Sequence, residues 1–190
     1  MRKKFQRLLL SMVLCLISGS VFAHPGHAEA GLTAGLLHPL SGVDHWLAML
    51  AVGLWAGRSG GSARWQLPLA FLGAMSAGWF AGLSGWAIPG MESAIAASVL
   101  APGLALALRT EIPRAAQLAL VALFAVFHGA AHGMELPATA PLATALGFLI
   151  STAALHGAGL GMAQLLARRV ALYRLTGMGI ALAGTALLLQ

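Results

Sequence analysis

The sequence is poor in cysteine and in charge. Cys15 is the one cysteine among 190 residues, and Asp, Glu, Lys and Arg together make up only 8% of them. Soluble domains carry about a quarter charged residues, so this composition, with a mean hydropathy of +0.85, predicts an all-α bundle of membrane helices. In such a chain the net charge of +6 does not indicate nucleic-acid binding. No Walker A sequence is present, which excludes ATP hydrolysis by a P-loop.

The N-terminal segment, residues 1–23, has the features of a secretory signal peptide. A basic start precedes the apolar stretch 8–17, and "VFA" places small residues where signal peptidase reads them, so we predict cleavage after Ala23. Residues 24–190 would then form one membrane domain; an uncleaved first helix is the alternative. Because Cys15 lies within the leader, the mature chain has no cysteine, which excludes thiolate metal ligands, disulfides and thiol redox chemistry.

Six apolar stretches follow, each close to the ~20 residues that a helix needs to cross a bilayer. They are predicted at residues 33–57, 65–84, 90–108, 114–134, 140–165 and 170–189. The seven basic residues of the mature chain fall on alternate loops: Arg58, Arg64, Arg109, Arg114, Arg168, Arg169 and Arg174. The positive-inside rule places these loops in the cytoplasm, so both mature termini would lie on the periplasmic side of a bacterial inner membrane. Two halves of three helices would then be inverted relative to each other, as in inverted-repeat transporters.

Polar side chains interrupt these spans, although an ionisable group in lipid costs several kcal/mol unless it is paired or faces water. Most of them lie in "HPLSGVDHW" and "FHGAAHGME". The candidate metal ligands are His38, Asp44, His45, Glu92, His128, His132 and Glu135. Helical spacing places the last three on one face of the fourth span. Counted at ~1.5 Å per residue, the set descends from the periplasmic surface towards the middle of the membrane.

A break is expected in the first span. Pro39 has no backbone N–H and disfavours helix at His38, and Gly42 follows closely. We therefore predict that the span is broken or begins near Pro39. Backbone groups freed by such a break can serve an ion where the chain lines a cavity.

The ligand types indicate the class of ion. Imidazole and carboxylate without thiolate suit borderline divalent ions such as Ni²⁺, Co²⁺ and Zn²⁺. Accessory candidates are Phe127, Met49, His156, His24 and His27. Phe127 could act as an apolar gate or packing element beside the site. For the other four, ordinary roles are the favoured interpretation: His156 as a hydrogen-bond partner between helices, Met49 as a core residue, and the two N-terminal histidines as part of a solvated tail.

At these motifs the sequence resembles the HupE/UreJ family of bacterial membrane proteins. A His followed after five residues by Asp-His matches residues 38–45, and "FHG" followed by "HGxE" matches residues 127–135; Glu92 in "PGMESAIAAS" matches a shorter pattern. The resemblance covers the whole mature chain. It implies nickel uptake for hydrogenase or urease, with cobalt assigned to some relatives. It also implies functional roles for His38, Asp44, His45, Glu92, Phe127, His128, His132 and Glu135.

The sequence thus predicts a permease and not an enzyme, with Ni²⁺, or alternatively Co²⁺ or Zn²⁺, as the transported ion and no prosthetic group. Three alternatives remain: a cytochrome with haem between His45 and His128, a non-transporting membrane protein for metalloenzyme maturation, and an intramembrane metallohydrolase. The last lacks a separate nucleophile or base motif. Besides the ion and the lipid bilayer, the expected partners are further copies in a homo-oligomer and, indirectly, nickel-enzyme maturation proteins.

Overall fold

The described part of the chain is entirely helical. A computed structural model describes residues 31–86, 88–135 and 139–190; the predicted cleavage site, His24 and His27 lie outside these ranges. The described residues form seven helices, which are α1 (Leu32–Ser41), α2 (Val43–Ser59), α3 (Ala63–Leu83), α4 (Met91–Leu108), α5 (Arg114–Glu135), α6 (Pro141–Leu166) and α7 (Val170–Leu188). The absence of strands in these ranges confirms the predicted all-α class.

Five of these helices, α3 to α7, are long and apolar enough to cross a membrane. Their ends agree with the predicted spans to within two residues. Large hydrophobic side chains are exposed on α1 and along α3 to α7, whereas α2 exposes only Val43 at its first residue. The buried side chains include several histidines. Apolar groups outside and polar groups inside are expected of a bundle whose surface faces lipid.

The first predicted span consists of two helices, α1 and α2, that meet at Gly42. The prediction of a break is confirmed, but its position is corrected: His38 and Pro39 both lie inside α1, and Gly42 is the residue with extended dihedral angles, φ −99° and ψ 123°. A proline within a helix leaves only the carbonyl four residues earlier without its donor. The helix can therefore continue for a short distance beyond Pro39 before it ends at Ser41.

Small residues bring helices α3 and α5 into backbone contact. A Cβ atom at Gly78 would collide with the carbonyl of Val126, and one at Gly133 with the carbonyl of Trp79. Residues further along α3 contact residues further along α5, so the two helices run parallel. Close approach of this kind is the usual basis of helix association in lipid, where the hydrophobic effect does not act between helices.

Two further helix pairs complete the bundle. The consecutive helices α1 and α2 pack along α6 in parallel, and α4 packs against α7 in the antiparallel direction. If the two halves are repeats, α1–α2 corresponds to α5, α3 to α6, and α4 to α7. The contact of α1–α2 with α6 then corresponds to the contact of α5 with α3, and the α4–α7 contact corresponds to itself. The pairing therefore agrees with the inverted relation of the two halves that the loop charges predict.

Candidate metal site

The N-terminus of α2 positions one carboxylate against one imidazole. Asp44 accepts a hydrogen bond from the backbone N–H of His45, and its Oδ1 lies 2.8 Å from Nδ1 of the same residue. A Cβ atom at Gly42 would lie 2.7 Å from the Asp44 carboxylate, so glycine leaves the room that this arrangement needs. When Nδ1–H donates to the carboxylate, the lone pair of neutral His45 is on Nε2. This Nε2 atom is buried and has no partner among the described residues.

Ser98 of α4 fixes the orientation of His128. Its hydroxyl donates its single proton to the carbonyl of Ile95 at 2.6 Å and lies 2.8 Å from His128 Nε2. The hydroxyl therefore accepts from the ring, which places the ring proton on Nε2 and the lone pair on Nδ1. That Nδ1 is buried without a partner in the described ranges. For both His45 and His128, a polar neighbour thus holds one nitrogen protonated and leaves the other able to bind a metal.

Four histidine rings from α1, α2 and α5 form one cluster. The ring centroid of His132 lies 4.8 Å from that of His38 and 4.9 Å from that of His45. His128 lies next to His45, at 5.0 Å. His132 is fully buried, and neither of its ring nitrogens has a partner in the described part of the chain. The cluster therefore presents several imidazole lone pairs in an interior shielded from solvent.

A second carboxylate lies at one end of this cluster. Glu135, the last residue of α5, is half exposed, and its Oε2 is 3.3 Å from Nε2 of His38. This contact joins α5 to α1 at the same end of the bundle as Asp44. Glu92 differs from the other candidates: it is exposed in the first turn of α4 and forms no hydrogen bond or ion pair within the described residues. The structure thus joins six of the seven predicted ligands and leaves Glu92 apart.

The rings of His38, His132, His45 and His128 form a row of metal-binding nitrogens, which we call the histidine file, and not a closed cage around one ion. Within the residues that the structure describes, no three His, Asp or Glu side chains are arranged to hold a metal ion together. Neighbouring rings nevertheless touch in the order His38, His132, His45, His128. Ion conduction requires several weak positions from which the ion can leave again. A file of paired contacts meets that requirement better than one tight site.

Aromatic rings pack around the histidines, and no sequence pattern identifies which ones. Phe148 stacks on His132 with ring centroids 5.1 Å apart, and Trp79 packs against Phe148 at 4.8 Å. Phe71 touches His128 at 5.6 Å. Phe127, the aromatic candidate from the sequence, is half-buried, and its ring contacts no histidine ring in the described ranges. Phe71 and Phe148 lie in ordinary apolar runs, so only packing between helices identifies them.

Met49 and His156, the remaining accessory candidates, are both fully buried. The sulfur of Met49 accepts a hydrogen bond from Thr152 Oγ1 at 3.4 Å. The sequence predicts a hydrogen bond between helices for His156, but neither of its ring nitrogens has a partner among the described residues. Its ring instead packs edge-on against Phe71, at 5.0 Å. Ser98, Phe71 and Phe148 are the contributors to this region that the sequence did not reveal.

Fold and site together define a multi-pass helical membrane protein with a buried cluster of histidines next to two carboxylates. The chain belongs to the HupE/UreJ family: the family profile described as HupE / UreJ protein matches residues 12–187. It is 40% identical over 188 residues to Protein HupE of Rhizobium leguminosarum bv. viciae, which covers 97% of this chain and 98% of that protein. No solved structure matches the chain. The resemblance drawn from the two histidine motifs is thereby confirmed.

Proposed function

We propose that this protein is a permease that moves Ni²⁺ from the periplasm to the cytoplasm, where the ion supplies a hydrogenase or a urease. The family is associated with nickel or cobalt uptake for these enzymes. The observation that carries the proposal is the file of contacting histidine rings from His38 to His128. His45, His128 and His132 are buried between helices, and His38 is partly exposed at one end. Such a row of imidazoles can bind a borderline divalent ion, whereas the packing of the bundle does not require it.

The chain crosses the inner membrane six times in this proposal. Helices α1 and α2 in series make the first crossing, and α3 to α7 make the others. Arginines lie at the ends of the helices away from Glu135 and Asp44, which the positive-inside rule assigns to the cytoplasm. Glu135 and His38 then face the periplasm, and both mature termini lie on that side.

The ion enters at the contact between Glu135 and His38, where a carboxylate replaces part of its hydration shell. It then passes to His132, His45 and His128, whose free nitrogens bind it in turn. Asp44 supplies negative charge beside His45, and the described cluster contains no arginine or lysine to oppose a cation. Glu92 acts outside this file, as an exposed acidic residue that raises the local concentration of cations at the periplasmic surface.

The cytoplasmic side of the file is closed. Leu54, Trp55 and Leu67 are almost completely buried there, and Tyr173 Oη donates to the carbonyl of Leu54 at 2.7 Å. Release of the ion therefore requires these helices to separate, as in alternating access. A 2+ ion gains ~4.6 kcal/mol on entering a cell with an inside-negative potential of 100 mV. Facilitated diffusion along the membrane potential is therefore the simplest driving force for uptake, and proton exchange at the histidines is the alternative.

Cobalt or zinc as the physiological ion is the alternative within transport, because both bind the same ligands. A non-transporting role in metalloenzyme maturation is the alternative outside it. A haem between His45 and His128 is disfavoured, because these rings already touch edge to face at 5.0 Å and leave no gap for a porphyrin plane.

The test is uptake of radioactive Ni²⁺ into proteoliposomes under an imposed inside-negative potential. We expect saturable uptake by the wild type and its loss in Asp44→Asn and His128→Ala. Glu111→Gln is the matched control for charge removal, because Glu111 is an exposed carboxylate between α4 and α5, away from the histidines. Competition by Co²⁺ and Zn²⁺ ranks the ions. Wild-type protein that is folded yet takes up no Ni²⁺ would refute the permease and favour the accessory role.

A further inference from the structure

A second group of metal-binding side chains lies beside the histidine file. Met49 of α2, Met75 of α3, and Thr152 and His156 of α6 are between 0% and 1% exposed. Three helices that are separate in sequence thus contribute two thioethers, a hydroxyl and an imidazole to one region of the core. We call these four residues the inner station.

The Thr152 hydroxyl joins the two sulfur atoms. It donates to Met49 Sδ at 3.4 Å and lies 4.0 Å from Met75 Sδ. Elsewhere in the described helices, Thr144, Thr176 and Thr185 donate to the carbonyl four residues earlier, which is the common arrangement for threonine. Thr152 uses its proton on a weak sulfur acceptor instead. Its side chain therefore marks a point at which two sulfur lone pairs converge.

His156 lies one turn after Thr152 on α6, on the same face of the helix. Neither of its ring nitrogens has a partner in the described residues, although the side chain is 1% exposed. An unpaired buried polar group costs about 1–3 kcal/mol. A residue that only filled space would be replaced without this cost by leucine, so the unpaired imidazole points to a ligand.

The inner station is continuous with the histidine file. Phe71 packs against both His128 and His156, with ring centroids 5.6 and 5.0 Å away. Met49 follows His45 by one turn on α2, and Met75 follows Phe71 by one turn on α3. The inner station thus lies one helical turn from His45 and is linked to His128 through the Phe71 ring.

We propose that Met49, Met75 and His156 form a second, inner binding position for thiophilic and borderline cations, in which Thr152 holds the two thioethers in place. Thioether and imidazole ligands select soft ions such as Ag⁺ and Cu⁺ and still accept Ni²⁺ and Co²⁺, whereas they bind Mg²⁺ and Ca²⁺ poorly. The inner station would thus reject the abundant hard cations that the outer carboxylates attract. The binding position rests on geometry alone; its role in transport rests on the proposed function.

Silver binding tests the position independently of nickel transport. The purified full-length protein is titrated with Ag⁺, and bound silver is measured after desalting. We expect Met49→Leu/Met75→Leu to weaken Ag⁺ binding at least about tenfold. The matched control is Met162→Leu/Met178→Leu, because these methionines are 36% and 49% exposed on α6 and α7. Replacement of methionine by leucine conserves volume and costs less than ~1.5 kcal/mol, and a thermal unfolding curve verifies that each variant is folded.

Selenomethionine labelling supplies a readout that needs no destabilising variant. X-ray absorption of the Ag⁺-loaded labelled protein should contain a silver–selenium distance, which should disappear in Met49→Leu/Met75→Leu and persist in the Met162→Leu/Met178→Leu control. His156→Gln should lose a nitrogen ligand and keep the selenium signal. Equal Ag⁺ binding in both double variants, or a spectrum with nitrogen and oxygen neighbours only, would overturn the inner station.

Nickel uptake then separates the two proposals. If wild-type protein transports Ni²⁺ and the inner station exists, Met49→Leu/Met75→Leu should lower the maximal rate about tenfold with half-saturation little changed, because the outer ligands are intact. If wild-type protein transports no Ni²⁺ but binds Ag⁺ through selenium, the permease fails and the binding position stands. If Met49→Leu/Met75→Leu changes neither Ni²⁺ uptake nor Ag⁺ binding, the proposal of the inner station is refuted and the proposal of the permease stands.

Discussion

Replacing Ser98 with alanine tests whether one hydroxyl on α4 prepares a metal ligand on α5. In the wild type, the Ser98 hydroxyl lies 2.8 Å from His128 Nε2 and is itself held by the carbonyl of Ile95 at 2.6 Å. Because His128 is 0% exposed, its Nε2–H would lose its partner and could not turn to solvent. The ring would then adopt either tautomer, and Nδ1 would no longer be reserved for a cation.

Two magnitudes follow from this geometry. An unmet buried donor destabilises the fold by about 1–3 kcal/mol. Loss of a group that orients a metal ligand lowers affinity or activity about 10–100-fold, which corresponds to about 1.4–2.8 kcal/mol. Both effects have the same cause, which is the missing hydrogen bond to His128. We therefore expect Ser98→Ala to lose at least about 1 kcal/mol of stability and about tenfold in Ni²⁺ uptake.

The assay pairs thermal unfolding in detergent with initial rates of Ni²⁺ uptake in proteoliposomes. Ser98→Thr keeps a hydroxyl and should recover most of the uptake. Ser93→Ala is the matched control, because Ser93 is exposed in the first turn of the same helix. Uptake and unfolding of Ser98→Ala that both equal the wild type would refute the argument, since they would mean that His128 does not depend on this contact.

Two further predictions concern packing and the mouth of the file. Gly129→Ala would place a Cβ atom 2.8 Å from the backbone nitrogen of Trp79, so it should destabilise the protein by about 1–3 kcal/mol in thermal unfolding. Gly157→Ala has nothing within 4 Å of its new Cβ atom and should not destabilise it; equal effects would contradict the close α3–α5 contact. Glu135→Gln removes a half-exposed charge worth ~0–1 kcal/mol, so half-saturation for Ni²⁺ should rise by up to about fivefold at an unchanged maximal rate. A lower maximal rate alone would place Glu135 deeper in the path.

Hydropathy alone located helices α3 to α7 of this protein. In lipid every backbone N–H and C=O must be paired within the chain, so a long apolar stretch that spans the bilayer forms a helix. The ends of α3 to α7 therefore follow from the sequence to within two residues. The motif residues were equally visible, because His and Asp are conspicuous in an apolar run. Local spacing also grouped His128, His132 and Glu135, since residues on one helix share a face by periodicity alone.

Contacts between helices were decided only by the tertiary structure. The hydrogen bond from His128 to Ser98, the stacking of Phe148 on His132 and the isolation of Glu92 depend on how far one helix slides and rotates against another. That register is set by the close approach of glycines such as Gly78 and by the break at Gly42, whose position the sequence misjudged. Periodicity fixes the face of a helix, but it does not fix which residue of another helix meets that face. The sequence therefore determined the spans and the metal-binding motifs, and packing decided which nitrogen, hydroxyl and sulfur atoms come together.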